Sequence, residues 1–142
     1  MSRDLDALTP DMRLRAFEWL ARLAERGVPV MIVDTLRTRE EHAKNLASGA
    51  SKIALSFHLP RAMRTRCESG DPSSELSDAM DVCPYEQFML HGPDKLQWSA
   101  EDPAWKIVIE CCEQAGLESG GRWRDPHDPG HGQLPRKLWT KG

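Results

Sequence analysis

The stretch from residue 56 to residue 85, SFHLPRAMRTRCESGDPSSELSDAMDVCPY, constrains the fold more than any other part of the 142-residue chain. Its interior is polar and basic, has no sustained hydrophobic period and contains several breakers, so we predict a long loop over residues 50–78. The length fits one domain, residues 1–142, whose core must come largely from segments outside this loop. His58 and Asp81 stand at the two ends of the stretch.

The segment before the loop contains signals for two helices and a strand. Thr9-Pro10-Asp11 is typical of a helix start, and apolar residues recur at helical spacing from there to Gly27. The run VPVMIV predicts a buried strand that ends at Asp34. Residues 39–47 are good helix formers and predict a second, shorter helix.

The segment after the loop adds strands and one more helix. DAMDVCPY predicts a short strand with Asp81 on one of its faces. Ser99 and Asp102 approximate a capping box for a third helix of about 14 residues. From Gly120 onward the sequence has room for two short strands with a tight turn between them. We therefore predict an α+β fold with a small, mostly antiparallel sheet flanked by helices.

Composition narrows the class of protein. An apolar fraction of 39% with 29% charged residues is typical of a soluble globular domain. The sequence has neither a membrane-spanning apolar run nor a secretory signal, so we expect a cytoplasmic location until another protein releases the chain to the periplasm or cell wall. The net charge of −3 disfavours nucleic acid and anionic lipid as partners. Four cysteines without CxxC spacing predict reduced thiols.

Three residues far apart in the sequence form a candidate metal site. Catalytic zinc takes three protein ligands of the His, Asp, Glu or Cys type and leaves a fourth position for water. His58, Asp81 and His131 supply such a set if the loop after His58 returns the chain to the strand that carries Asp81.

A second cluster, DPHDPGHG, covers residues 125–132. His127 and His131 stand four residues apart, but Pro126, Pro129 and Gly130 exclude the helix that an HExxH-type pair requires. We instead predict a turn through residues 128–130 and a strand that begins at His131. This turn would bring the Asp128 carboxylate close to His131, where it would act either as a general base or as a turn-capping residue.

The motifs Ser56-Phe57-His58, Ala79-Met80-Asp81, Gly-Gly-x-Trp and Asp128-Pro129-Gly130-His131 resemble those of a family of zinc peptidases. This is the D-alanyl-D-alanine carboxypeptidase and L-alanyl-D-glutamate endopeptidase family, which includes many bacteriophage endolysins. VPVMIVDTLRTREEHAKNLASGASK also resembles the N-terminal block of the family, so the similarity covers roughly residues 5–135. Ser77 and Gly132 depart from the family pattern, which has glycine and an aromatic residue at these positions.

The resemblance implies a fold and a role for each matching residue. The expected fold is hedgehog-like or DD-peptidase-like. The implied roles are zinc ligation by His58, Asp81 and His131, base catalysis by Asp128, oxyanion stabilisation by Arg37 and substrate binding by Ser56 and Arg37. Arg61, Arg64 and Arg66 form a basic cluster that is either a solvated part of the loop or a contact for substrate carboxylates.

The activity implied by the resemblance is Zn2+-dependent hydrolysis of the peptidoglycan stem peptide. We favour cleavage between L-Ala and D-Glu, the reaction of an endolysin that degrades the cell wall during lysis. Two alternatives stay open: a D-Ala-D-Ala carboxypeptidase of the same family, and a noncatalytic zinc-stabilised binding module. We expect a monomer that binds no nucleic acid and does not insert stably into membranes.

Overall fold

The computed structural model describes residues 2–49, 56–86, 95–124 and 127–135. Within these ranges it contains three α-helices and one four-stranded antiparallel sheet, which confirms the predicted α+β class. The helices are α1 (Pro10–Glu25), α2 (Arg39–Ser48) and α3 (Ala104–Gln114), and the strands are β1 (Val30–Asp34), β2 (Ala79–Pro84), β3 (Glu118–Ser119) and β4 (His131–Gln133). The strand order is β1-β2-β4-β3. None of the helices in these ranges is long and apolar enough to cross a membrane.

The hydrophobic core lies between α1, α3 and one face of the sheet. Trp19 of α1 is fully buried, and its indole nitrogen donates a hydrogen bond of 3.1 Å to the carbonyl oxygen of Val108 in α3. Met80 and Val82 of β2 belong to the same buried cluster. Since side chains alternate along a strand, Asp81 between them points to the opposite face of the sheet. The site is therefore built on the face that does not carry the core.

Gly132 of β4 shows why a small residue is needed on the core face of the sheet. A Cβ atom at this position would lie 2.7 Å from the Trp19 ring and 2.9 Å from the Cys112 sulfur. Trp19 thus occupies the space into which a side chain at position 132 would project. This packing explains the glycine at a position where the family pattern has an aromatic residue.

Helix α3 starts later than predicted. Its first residue is Ala104, and the Asp102 carboxylate accepts a hydrogen bond of 2.9 Å from the Ala104 amide. Ser99 instead accepts the Asp102 amide through its backbone carbonyl, as part of a turn before the helix. The predicted capping box is therefore wrong, and α3 has 11 residues.

The C-terminal strands also differ from the prediction. β3 begins at Glu118, before the glycine pair, and a short 3-10 turn at Gly120–Arg122 follows it directly. Eleven residues separate Ser119 at the end of β3 from His131 at the start of β4, so the two strands are not joined by the tight turn that we predicted. The turn before β4 does lie where it was predicted, because the His131 amide donates to the Asp128 carbonyl and the strand begins at His131.

The described part of the long loop, residues 56–78, is fixed to the fold by a buried ion cluster. The Asp78 side chain is fully buried and accepts hydrogen bonds from Thr9, Arg61 and Arg64. Arg64 also lies over the ring of Phe57, with its guanidinium carbon 4.1 Å from the ring centroid. Arg61 and Arg64 are therefore structural anchors, which corrects the prediction that they are solvated or bind substrate carboxylates.

The cysteines agree with the expectation from composition. Cys67, Cys83, Cys111 and Cys112 form no disulfide, and burial raises the pKa of the thiol of Cys112. A buried thiol with a raised pKa is a poor nucleophile and a poor metal ligand. Cys83, Cys111 and Cys112 are part of the hydrophobic core.

Candidate metal centre and catalytic site

The register of the sheet brings two of the predicted ligands together. Asp81 of β2 lies opposite Asp34 of β1 on one side and opposite His131 of β4 on the other. Residues directly opposite each other in antiparallel strands point to the same face. The Nδ1 atom of His131 consequently lies 2.9 Å from Oδ1 of Asp81.

His58 reaches the same place from the long loop. Its backbone carbonyl accepts the Arg37 amide, and its Nδ1 lies 2.7 Å from the carbonyl oxygen of Thr35, just after β1. A carbonyl oxygen can only accept, so this contact places the proton on Nδ1 and leaves the lone pair on Nε2. Nε2 lies 3.0 Å from Oδ1 of Asp81, and the rings of His58 and His131 are 5.0 Å apart in an edge-to-face arrangement.

These three side chains fit a divalent cation. One ligand atom from each of His58, Asp81 and His131 lies within 4.8 Å of the others. Nε2 of His58 is buried and has no hydrogen-bond partner, although it is close to Asp81. A buried lone pair with no donor is costly unless a cation or a water satisfies it. Two imidazoles and one carboxylate are donors that suit zinc.

The pKa values of Asp81 and His131 are shifted in opposite directions. Burial raises the pKa of Asp81, but His58 and His131 outweigh this effect and hold the pKa well below the ordinary value. Burial lowers the pKa of His131, but its hydrogen bond to the Asp81 carboxylate and the negative charge of Asp81 raise the pKa to about 9. A cation must displace the His131 proton, because a protonated imidazole has no lone pair to donate.

Asp128 lies in the turn immediately before β4, next to the three candidate ligands. Burial raises the pKa of its carboxyl group, and the charge of Asp81 raises it further, while His131, His58 and Arg37 act in the opposite direction. Asp128 is therefore close enough to these side chains for their charges to shift its pKa, but it is not one of the three candidate metal ligands. A carboxyl group with a raised pKa beside a metal site is suited to accept and return a proton.

Arg37 is held in a fixed position at the edge of the site. Its guanidinium donates to Oδ2 of Asp34 at 2.7 and 3.2 Å, and a third nitrogen lies 3.4 Å from Nδ1 of His42. Such a fixed guanidinium acts more strongly on developing negative charge than a mobile one. Sequence reasoning found Arg37 but missed Asp34 and His42, because only the fold brings their side chains to it.

The structure gives Ser56 a local contact. Its hydroxyl accepts a hydrogen bond of 3.2 Å from the His58 amide, and its carbonyl accepts the Leu59 amide. Ser56 is buried and stabilises the turn that carries His58. Its role in substrate binding stays a prediction.

A pocket of about 260 Å³ adjoins the candidate catalytic groups. Asp81 and Asp128 form part of its wall, and the side chains that line the rest are mainly apolar: Val33, Val82, Trp98, Ala100, Trp105 and Pro129, together with His127. Trp98 is 56% exposed, so part of a large aromatic surface faces solvent at the pocket. Nε2 of His127 lies 3.1 Å from the carbonyl oxygen of Gly121, which holds this exposed ring beside the pocket.

Comparison with known proteins finds similar peptidases. No protein-family model matches the chain. The chain is 26% identical over 136 residues to an L-alanyl-D-glutamate peptidase of Listeria phage A118. This alignment covers 94% of the chain but only 40% of the phage protein. The fold of the chain is similar to the crystal structure of the Serratia marcescens L-Ala D-Glu endopeptidase ChiX, with a TM-score of 0.60, 20% identity and coverage of 95% of this chain and 86% of that one. The phage relative and the solved structure support the resemblance of this chain to the L-alanyl-D-glutamate endopeptidase family.

Proposed function

We propose that this protein is a zinc-dependent peptidoglycan endopeptidase that cleaves the bond between L-Ala and D-Glu of the stem peptide. The observation that carries the proposal is the convergence of His58, Asp81 and His131 beside a half-buried Asp128. The phage relative and the solved structure, both L-Ala–D-Glu peptidases by name, support this bond over the D-Ala-D-Ala bond.

Each group at the site has a distinct role in amide hydrolysis. A zinc ion held by His58, Asp81 and His131 would supply Lewis acidity and lower the pKa of a water molecule. Asp128 takes a proton from the attacking water and returns it to the nitrogen of the leaving amine. Arg37 faces the negative charge that develops on the carbonyl oxygen, and its contacts with Asp34 and His42 keep it there. The pocket beside Asp81 and Asp128 receives the neighbouring part of the substrate.

Digestion of purified sacculi tests the scissile bond. We expect the wild-type protein to release peptides with a new N-terminal D-Glu, identified by mass spectrometry of the soluble products. Free D-Ala without new D-Glu termini would instead identify a D-Ala-D-Ala carboxypeptidase. An absence of any product from protein loaded with zinc would favour the noncatalytic binding module.

Metal removal tests the dependence on zinc. We expect metal analysis to find about one zinc per chain, since the three ligands form a single site. Chelation should abolish sacculus digestion, and added zinc should restore it. Full activity after the metal content has fallen to background would contradict a metal mechanism. Restoration by another divalent ion but not by zinc would contradict the choice of metal.

A further inference from the structure

The ring of His131 is held at both of its nitrogens. Nδ1 faces Asp81, and Nε2 lies 2.8 Å from Oε1 of Gln133, two residues along the same strand. If Nε2 donates its proton to the amide oxygen, Nδ1 keeps its lone pair for a cation. His131 is then a metal ligand only as long as the oxygen of the Gln133 amide, and not its nitrogen, faces the ring.

A carboxylate on the next strand fixes which end of that amide faces His131. Glu118 of β3 lies directly opposite Gln133 in the sheet, and its Oε2 accepts a hydrogen bond of 3.3 Å from the Gln133 amide nitrogen. An ionised carboxylate can only accept, so it selects the NH2 end of the amide and leaves the oxygen for His131. Gln133 is only 3% exposed, so water does not readily offer its amide an alternative partner.

The same carboxylate oxygen holds a second group that contacts His131. The indole nitrogen of Trp123 donates to Oε2 of Glu118 at 3.2 Å, and the Trp123 ring lies 5.0 Å from the His131 ring, centroid to centroid. Glu118 therefore supports His131 at its edge through Gln133 and at its face through Trp123. This gives a physical reason for the tryptophan of the Gly-Gly-x-Trp motif, to which the sequence assigned no role.

We propose that Glu118 is a positioning residue that sets the tautomer and orientation of His131, and thereby the affinity of the site for zinc. The inference rests on the metal site of the proposed function but not on its substrate. Glu118 touches neither the candidate metal position nor the pocket beside Asp128, and acts through two hydrogen bonds on the far side of His131. Mutation of a residue that orients a metal ligand through hydrogen bonds typically changes metal affinity by about 10- to 100-fold.

The test compares Glu118→Ala and Glu118→Gln with the wild-type chain and with Glu113→Ala. Glu113 is a matched control, because it lies beside Glu118 but its carboxylate pairs with the exposed Arg122 instead of with the His131 support. Zinc affinity is measured by competition with a chromophoric chelator, and folding is measured by thermal unfolding of the zinc-free proteins. Nitrogen-15 NMR of the histidine rings in the zinc-loaded proteins reports which nitrogen of His131 carries the proton.

We expect Glu118→Ala to weaken zinc binding by about tenfold or more, while Glu113→Ala stays within about twofold of wild type. Glu118→Gln keeps the size and one acceptor oxygen, so it should recover part of the loss. The wild-type spectrum should show the proton on Nε2 of His131, and Glu118→Ala should show a mixture of states. Wild-type affinity in Glu118→Ala, or a wild-type ring spectrum in a variant that binds zinc weakly, would overturn the inference. A wild-type chain that binds no zinc would instead refute the proposed metal site itself.

Discussion

Replacement of Asp128 by asparagine is expected to reduce sacculus hydrolysis by about 100- to 10,000-fold, the usual contribution of a general acid–base group. Asparagine has nearly the same shape as aspartate but cannot accept and return a proton at neutral pH. Because Asp128 lies outside the candidate ligand set, the variant should bind zinc as tightly as the wild-type chain. The measurements are the initial rate of release of soluble peptide and the zinc affinity of the same preparation.

The control for Asp128→Asn is Glu18→Gln, a change of charge on the outer surface of α1, where Glu18 pairs with Arg22. This control should hydrolyse sacculi at the wild-type rate. Hydrolysis by Asp128→Asn at the wild-type rate would rule out the assignment of the base and return Asp128 to the role of a turn-capping residue. If Asp128→Asn also loses zinc, the carboxylate belongs to the metal site rather than to proton transfer.

The helices and longer strands could be predicted because their signals are local. Thr9 and Pro10 mark the first helix, and the β-branched run before Asp34 marks the first strand; the structure has both. The turn at Asp128 was also predictable, since proline and glycine permit few other conformations there. The capping box at Ser99 failed because a short cap motif can equally form an isolated turn, and the structure places such a turn before α3.

The supporting residues of the site could not be predicted in the same way. Gln133 and Glu118 meet His131 only through the register of β3 and β4, which no short motif specifies. Asp34 and His42 meet Arg37 only after α2 has folded against the end of β1. The resemblance to a known family could name the candidate ligands, but it carried no information on the side chains that orient them.

The buried ion pairs of the arginines in the long loop, which stabilise the fold, could not be predicted from the sequence either. A basic run in a polar segment is usually solvated, so burial of Arg61 and Arg64 around the shared, buried carboxylate of Asp78 was not expected. Asp78 stands three residues before Asp81, and its carbonyl oxygen accepts the amide of Leu134, just after β4. The ion cluster around Asp78 therefore fixes the loop that carries His58 to the two strands that carry Asp81 and His131.

Asp78→Asn is expected to lower the free energy of unfolding by about 3–5 kcal/mol, measured by urea denaturation of the zinc-free protein. The asparagine would remove the buried charge that faces both guanidinium groups, whose side chains are at most 6% exposed, and would leave Arg61 only its longer contact with the half-exposed Asp11. A loss of this size is a large part of the total stability of an ordinary domain, which is about 5–15 kcal/mol.

The pH dependence of stability should change in the same variant. Burial raises the pKa of Asp78, but hydrogen bonds from Arg61, Thr9 and Arg64 outweigh it, so the pKa in the folded protein lies below the ordinary value. The stability that Asp78 contributes is therefore complete above the unfolded-state pKa of a carboxyl group and is lost as the pH falls through the lower folded-state value. We expect the difference between wild type and Asp78→Asn to shrink in acid.

Asp11→Asn is a control that distinguishes the effect of the buried cluster from that of an exposed ion pair. Asp11 also pairs with Arg61, at 3.6 Å, but its side chain is 47% exposed. Removal of such an exposed partner should change the free energy of unfolding by about 1 kcal/mol or less. Equal losses in Asp11→Asn and Asp78→Asn would show that burial of the cluster does not determine its contribution. A large loss confined to Asp78→Asn, together with weaker zinc binding once the loop is released, would establish that the geometry of the metal site depends on this ion cluster.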